Sequence, residues 1–155
     1  MKMRLIILIV FVLMILGCNL SGDDMKMISV FYKDKKPSQQ ALEKINHVLE
    51  EFKDTLQVTY YLIEDQQNAD LITELGLPST HFPVAVVING KFTAKIDDKV
   101  VSFVHFPLFM KGIERHEGNW SIADLKKVLN DSSLLLKDNI LPTLAEESSD
   151  EECED

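Results

Sequence analysis

The sequence predicts an α/β domain whose elements run β-α-β-α-β-β-α behind an apolar leader. Two observations carry that expectation. Stretches rich in β-branched and aromatic residues at 27–32, 57–64 and 84–88 read as strands. Between the first two, Leu42, Ile45, Leu49 and Phe52 recur at helical spacing, and strands alternating with helical patterns point to βαβ units.

Taken in order, Met27 to Tyr32 is a first strand, apolar enough to be buried on both faces. Lys33 to Pro37 is a polar loop, and Ser38 is the expected N-cap of a helix that ends near Asp54. Gln57 to Glu64 is the second strand, followed by a short helix over Ala69 to Leu75 with Gly76 at its C-terminal cap. Pro83 directly precedes the five apolar residues Val84 to Ile88, and Asn89-Gly90 closes them, which predicts a strand entry and then a hairpin turn. Lys91 to Ile96 returns antiparallel. Val100 to Phe106 is either a further antiparallel piece or the same strand continued beyond a bulge. Pro107 to Asn119 has no clean period and reads as an ordered loop, with Phe103, Phe106, Phe109 and Met110 plugging it into the core. Ser121 caps a last helix, with Asp124 at the capping-box position and Ile122, Leu125, Val128 and Leu129 on its apolar face. Leu134 to Leu144 is one more amphipathic piece.

The leader has its own logic. Lys2 and Arg4 precede an apolar run from Leu5 to Leu16 that ends at Gly17-Cys18, the pattern of a secretory signal too short to span a bilayer as a mature helix. Ile15-Leu16-Gly17-Cys18 resembles the bacterial lipobox, although Leu16 is bulkier than the usual small residue. The resemblance implies that residues 1–17 are removed, that Cys18 carries lipid, and that 18–26 tether the domain. Two or three acyl chains hold such a protein stably on a membrane. The expected place is therefore the cell envelope, on the extracytoplasmic face of a bacterial membrane.

Removing Lys2 and Arg4 with the leader takes the formal charge from -9 to -11, and seven of those negative charges lie between Glu146 and Asp155. Residues 146–155 are too polar to fold and read as a disordered acidic tail, leaving 27–145 as the domain. No basic stripe interleaved with aromatics appears, so nucleic acid is not an expected partner. With Cys18 lipidated, only Cys153 remains, so the domain has no internal disulfide.

The order of elements, with a proline opening the third strand, resembles the thioredoxin fold over about 27–130. That resemblance implies three layers, with a central mixed sheet of about four strands between flanking helices. It also places the redox motif of that family, Cys-x-x-Cys, on Lys35-Lys36-Pro37-Ser38. The proline matches and both cysteines are missing. Pro83, preceded by His81-Phe82, matches the proline that is cis in the family and faces the active site. Thiol-disulfide exchange needs an attacking thiolate and a resolving thiol, so redox activity of that kind is expected to be lost. A Ser38–Lys35 dyad is the one catalytic alternative, against the simpler expectation that Ser38 caps the helix and Lys35 is solvated.

The candidate binding surface is therefore Lys35, Pro37, Ser38, His81, Phe82 and Pro83. A second candidate is the 106–119 insertion with Arg115, His116 and Trp120, because long ordered loops in small domains are disproportionately functional. His81, His105 and His116 are the metal-ligand candidates, without any His-x-x-x-His spacing. No catalytic residue and no cofactor is assigned. Three functions follow: a membrane-tethered, redox-inactive module that binds a protein or peptide; an accessory of a thiol-disulfide or cytochrome-assembly system using partner cysteines; and a copper- or zinc-binding lipoprotein.

Overall fold

The computed structural model describes residues 25–78, 82–113 and 116–142. Cys18 and the leader, His81, Arg115, and the acidic tail with Cys153 lie outside the described residues. Strand β1 (Lys26–Tyr32) pairs in parallel with β2 (Leu56–Leu62), Lys26 opposite Leu56 and Tyr32 opposite Leu62. A parallel pair requires a crossover, and helix α1 (Lys36–Glu51) supplies it. On its other side β1 pairs antiparallel with β3 (Val84–Ile88), giving the mixed order β2-β1-β3.

Expectation and structure part at the fourth strand. Strands β4 (Thr93–Ile96) and β5 (Lys99–Ser102) form a separate antiparallel hairpin instead of extending the sheet. Asn89 and Gly90, at φ 50° and 76°, make the predicted two-residue turn, and Ile88 and Lys91 exchange both backbone hydrogen bonds. Only that one bridge joins the return segment to β3. The remaining outer edge of β3 is taken by the chain after β5: Val86 N–H donates to Phe103 O at 2.9 Å, and Ala85 pairs with Val104. The 100–106 segment is thus a strand to Ser102, then a short run closing the sheet edge.

Side chains of β3 alternate between two cores. Val84, Val86 and Ile88 join Ile28, Val30, Ile45 and Leu125 on the face covered by α1 and by α3 (Ile122–Asn130). Ala85 and Val87 join Phe31, Ile72 and Phe82 on the other face, under the short helix α2 (Ala69–Glu74). Sheet and helices thus form three layers. Every β3 residue is buried, each larger side chain contributing about 1.5–3 kcal/mol of apolar burial. β1 is not buried on both faces throughout as expected: Met27 is 61% exposed and Ser29 half-buried, because an open pocket that they line with Leu71 and Leu75 separates this end of β1 from α2.

Local signals in the sequence are met at two helix ends. Gly76 (φ 72°) ends α2, with Gly76 N–H bonded to Thr73 O and Leu77 N–H to Ile72 O, the paired bonds of a Schellman cap. At α3 the Ser121 hydroxyl accepts from Asp124 N–H while the Asp124 carboxylate accepts from Ser121 N–H, a complete capping box. Beyond α3 a 3-10 turn at Ser132–Leu134 leads into an extended strap. Leu136 N–H donates to Thr93 O, and the Asn139 side chain bonds Phe92 N–H and the carbonyls of Leu75 and Gly90. Among the described residues no helix is long and apolar enough to cross a membrane.

Candidate functional site

Helix α1 starts two residues earlier than its expected cap. Lys35 is the N-cap residue and makes no side-chain capping bond, and Pro37 falls in the first turn, where its missing N–H costs nothing. Ser38 is therefore not the cap. It lies inside the helix, 2% exposed, and its hydroxyl has no hydrogen-bond partner among the described residues. The Asp34 carboxylate does not cap the helix backbone either; it accepts from Gln39 Nε2 at 2.7 Å. First-turn N–H groups at Lys36 and Ser38 thus lack protein acceptors among the described residues, at the positive end of a sixteen-residue helix.

Facing this turn is Pro83. The peptide bonds among the described residues are all trans, that between Phe82 and Pro83 included, so the expected cis bond is corrected. The Pro83 carbonyl accepts from Lys33 N–H at 3.1 Å, which continues the β1–β3 pairing past Tyr32. Phe82 is 1% exposed and packs into the second core. Backbone at this point is therefore already committed to the sheet, and a ligand here meets side chains more than strand edge.

The loop after β5 completes the site. Phe106 N–H donates to His116 O at 3.0 Å, and Gly118 N–H donates to Phe106 O at 2.6 Å, so the two arms of the loop are laced side by side. Met110 N–H is held by Glu117 Oε1 at 2.8 Å. Trp120, fully buried, donates from Nε1 to Val104 O at 3.1 Å and packs edge-on against Phe103. Phe103, Phe106 and Met110 plug the loop as expected, but Phe109 does not. It is 87% exposed at φ 66°, with Leu108 36% exposed beside it. A phenylalanine held at positive φ and turned to solvent is an outlier of the kind that collects at functional sites.

These parts enclose a cleft of about 210 Å³ lined by Lys33, Lys35, Pro37, Ser38, Pro83, Phe106 and His116. Of the second candidate surface His116 alone, among the described residues, lines this cleft, beside Lys35, Pro37, Ser38 and Pro83 of the first. Trp120 stands behind it as a buried support. Lys33 and Phe106 were not anticipated. Lys33 was hidden because a lysine in a polar loop reads as solvated, and Phe106 because a loop aromatic reads as a plug. The chain matches no family model, no curated protein and no solved structure.

The chemistry available here is narrow. No base touches Ser38 among the described residues, and Lys35 is exposed at the cap position, so the geometry offers no nucleophile and base in contact. His105 is 7% exposed at φ 68°, with Nδ1 buried and unpartnered. Burial, and after it the neighbouring His116, push its pKa below the ordinary histidine value. Among the described residues no three His, Cys, Asp or Glu side chains converge as metal ligands. The cleft has walls made largely of carbon, with Lys33, Lys35, Ser38 and His116 among its lining residues and the uncapped first turn of α1 beside it.

Proposed function

We propose that this protein is a redox-inactive binding module of the bacterial cell envelope, tethered through lipid at Cys18, whose cleft at the start of α1 receives a segment of a partner polypeptide. The observation that carries the reading is the convergence of Lys33, Lys35, Pro37, Ser38, Pro83, Phe106 and His116 on one open cleft in place of a pair of cysteines. The exposed Leu108 and Phe109, two and three residues beyond Phe106, add apolar contact of the sort that anchors protein partners. Placement favours it as well. Residues 18–26 lead in sequence to the start of β1, whereas Lys33 and Lys35 of the cleft follow its end, about 20 Å along a seven-residue strand. A thioredoxin-like ancestry accounts for the position of the cleft, with Pro37 and Pro83 retained and the thiol chemistry gone.

Capture of the intact lipidated protein from its own membranes tests this reading, comparing wild type with the Lys35→Glu/His116→Glu double variant. Both residues are exposed, so the fold is retained. A partner bound by wild type and lost from the double variant supports the module. An identical set of co-purifying proteins for both forms overturns it.

A further inference from the structure

Resting on the peptide-binding reading, we infer that the cleft recognises the free C-terminal carboxylate of a polypeptide whose last residue is large and apolar. Three features independent of one another converge on that ligand. The first is charge. Lys33 and Lys35 line the cleft, and among the described residues neither forms an ion pair, whereas the chain as a whole carries a formal charge of -9. Two cations at one cleft of an acidic protein complement an anionic ligand.

The second is the Ser38 hydroxyl. Ser38 is 2% exposed, and its side chain has no hydrogen-bond partner among the described residues. The fully shut-in unpartnered side-chain atoms there are His105 Nδ1 and Ser132 Oγ. Ser38 itself lines the cleft. Such a hydroxyl beside the uncapped N–H groups of Lys36 and Ser38 forms a set of donors with no acceptor among the described residues, and a carboxylate supplies two acceptor oxygens.

The third is size and wall chemistry. Pro37, Pro83 and Phe106 give the cleft an apolar interior of about 210 Å³. A cavity of about 150 Å³ holds a benzene-sized group, so this cleft has room for a ring-sized side chain. An inorganic anion would leave the walls unfilled. An internal peptide segment would bring an uncharged amide to the donors. A chain end places the charge and the last side chain on one carbon, and the open mouth lets the preceding residues leave the cleft.

The test is fluorescence anisotropy with fluorescein-labelled Gly-Ser-Gly-Ser-Gly-Phe, as the free acid and as the C-terminal amide, with N-acetylphenylalanine as competitor. The free acid is expected to bind at least about tenfold more tightly than the amide, the cost of losing a charge-assisted hydrogen bond. Ser38→Ala and Lys35→Gln should each weaken the free acid severalfold, and N-acetylphenylalanine should compete only at least about tenfold less well than the peptide. Equal binding of acid and amide, lost in both variants, overturns carboxylate recognition and leaves the peptide-binding reading standing. Competition by N-acetylphenylalanine as strong as that of the peptide overturns the chain end and makes the cleft a small-acid site. Binding of neither peptide overturns the inference, and the membrane capture described above then decides the reading beneath it.

Discussion

Replacing Gly118 by alanine probes the support of the cleft through a single methyl group. A Cβ on Gly118 would collide with Val104 O and stand 2.9 Å from Trp120 Cδ1. The first contact cannot be relieved cheaply, because Val104 is fixed by its bridge to Ala85 and its carbonyl accepts from Trp120 Nε1. The indole is fully buried and locked edge-on to Phe103 at 5.4 Å, so it has nowhere to rotate. Overpacking of this kind costs about 1–3 kcal/mol, and breaking the indole hydrogen bond adds about 1 kcal/mol. A total near 3 kcal/mol is a large part of the 5–15 kcal/mol that holds most domains folded, and corresponds to a fall in Tm of about 10 °C. Trp120 is the only tryptophan, so urea unfolding followed by its fluorescence reads the change directly. A loss under about 0.5 kcal/mol would refute the close packing of Gly118 on Val104 and Trp120. Because Gly118 N–H bonds Phe106 O and Phe106 N–H bonds His116 O, the same variant should also bind cleft ligands less well.

Other perturbations follow from single contacts. Asn89→Ala removes an Oδ1 acceptor from Met27 N–H at 2.8 Å and puts alanine at positive φ, so it should cost about 1–2 kcal/mol in a urea melt. Ser38→Ala breaks no hydrogen bond to a described residue and favours the helix, so its stability should stay within about 1 kcal/mol of wild type or rise; a larger loss would show that the hydroxyl has a structural partner. His105 is held below the ordinary histidine pKa by burial and then by His116, so the unfolded chain takes up its proton first as pH falls. Stability should therefore decline from neutral pH toward pH 5, and His105→Asn, which tolerates the same positive φ, should flatten that decline in urea midpoints measured at several pH values. Lys127→Ala at the exposed ion pair with Asp97 (3.0 Å) should change stability by less than about 0.5 kcal/mol in the same assay.

Elements whose reasons are local were legible in the sequence. Five apolar residues between Pro83 and Asn89-Gly90 are a buried strand and nothing else. Gly76 after a short helical pattern, and Ser121 three before Asp124, announced a helix end and a helix start that the backbone hydrogen bonds reproduce. What depends on nonlocal pairing was not. Whether β4 extends the sheet or folds back on β5 is decided by Phe103 and Val104 occupying the edge of β3, residues distant in sequence from the strand they cover. The start of α1 was misplaced because serine is a strong cap by propensity, while a proline two residues past Lys35 sets the first turn. Exposure of Phe109 has no signal in composition, since an aromatic in a loop is ordinarily an anchor. The cleft was half legible: Lys35, Pro37, Ser38 and Pro83 were grouped by resemblance, and His116 was assigned to a separate surface.

The start of α1 is the proposed seat of a partner polypeptide. A photo-crosslinking amino acid at Lys35, compared with the same group at Lys126 on α3, addresses it in intact membranes of the native host. Lys35 lines the cleft, whereas Lys126 is paired with Glu51 on the helical face. The account predicts a discrete protein adduct from position 35, absent from position 126 and suppressed by Ser38→Ala. Adducts of equal yield from both positions, or none from position 35, would contradict it.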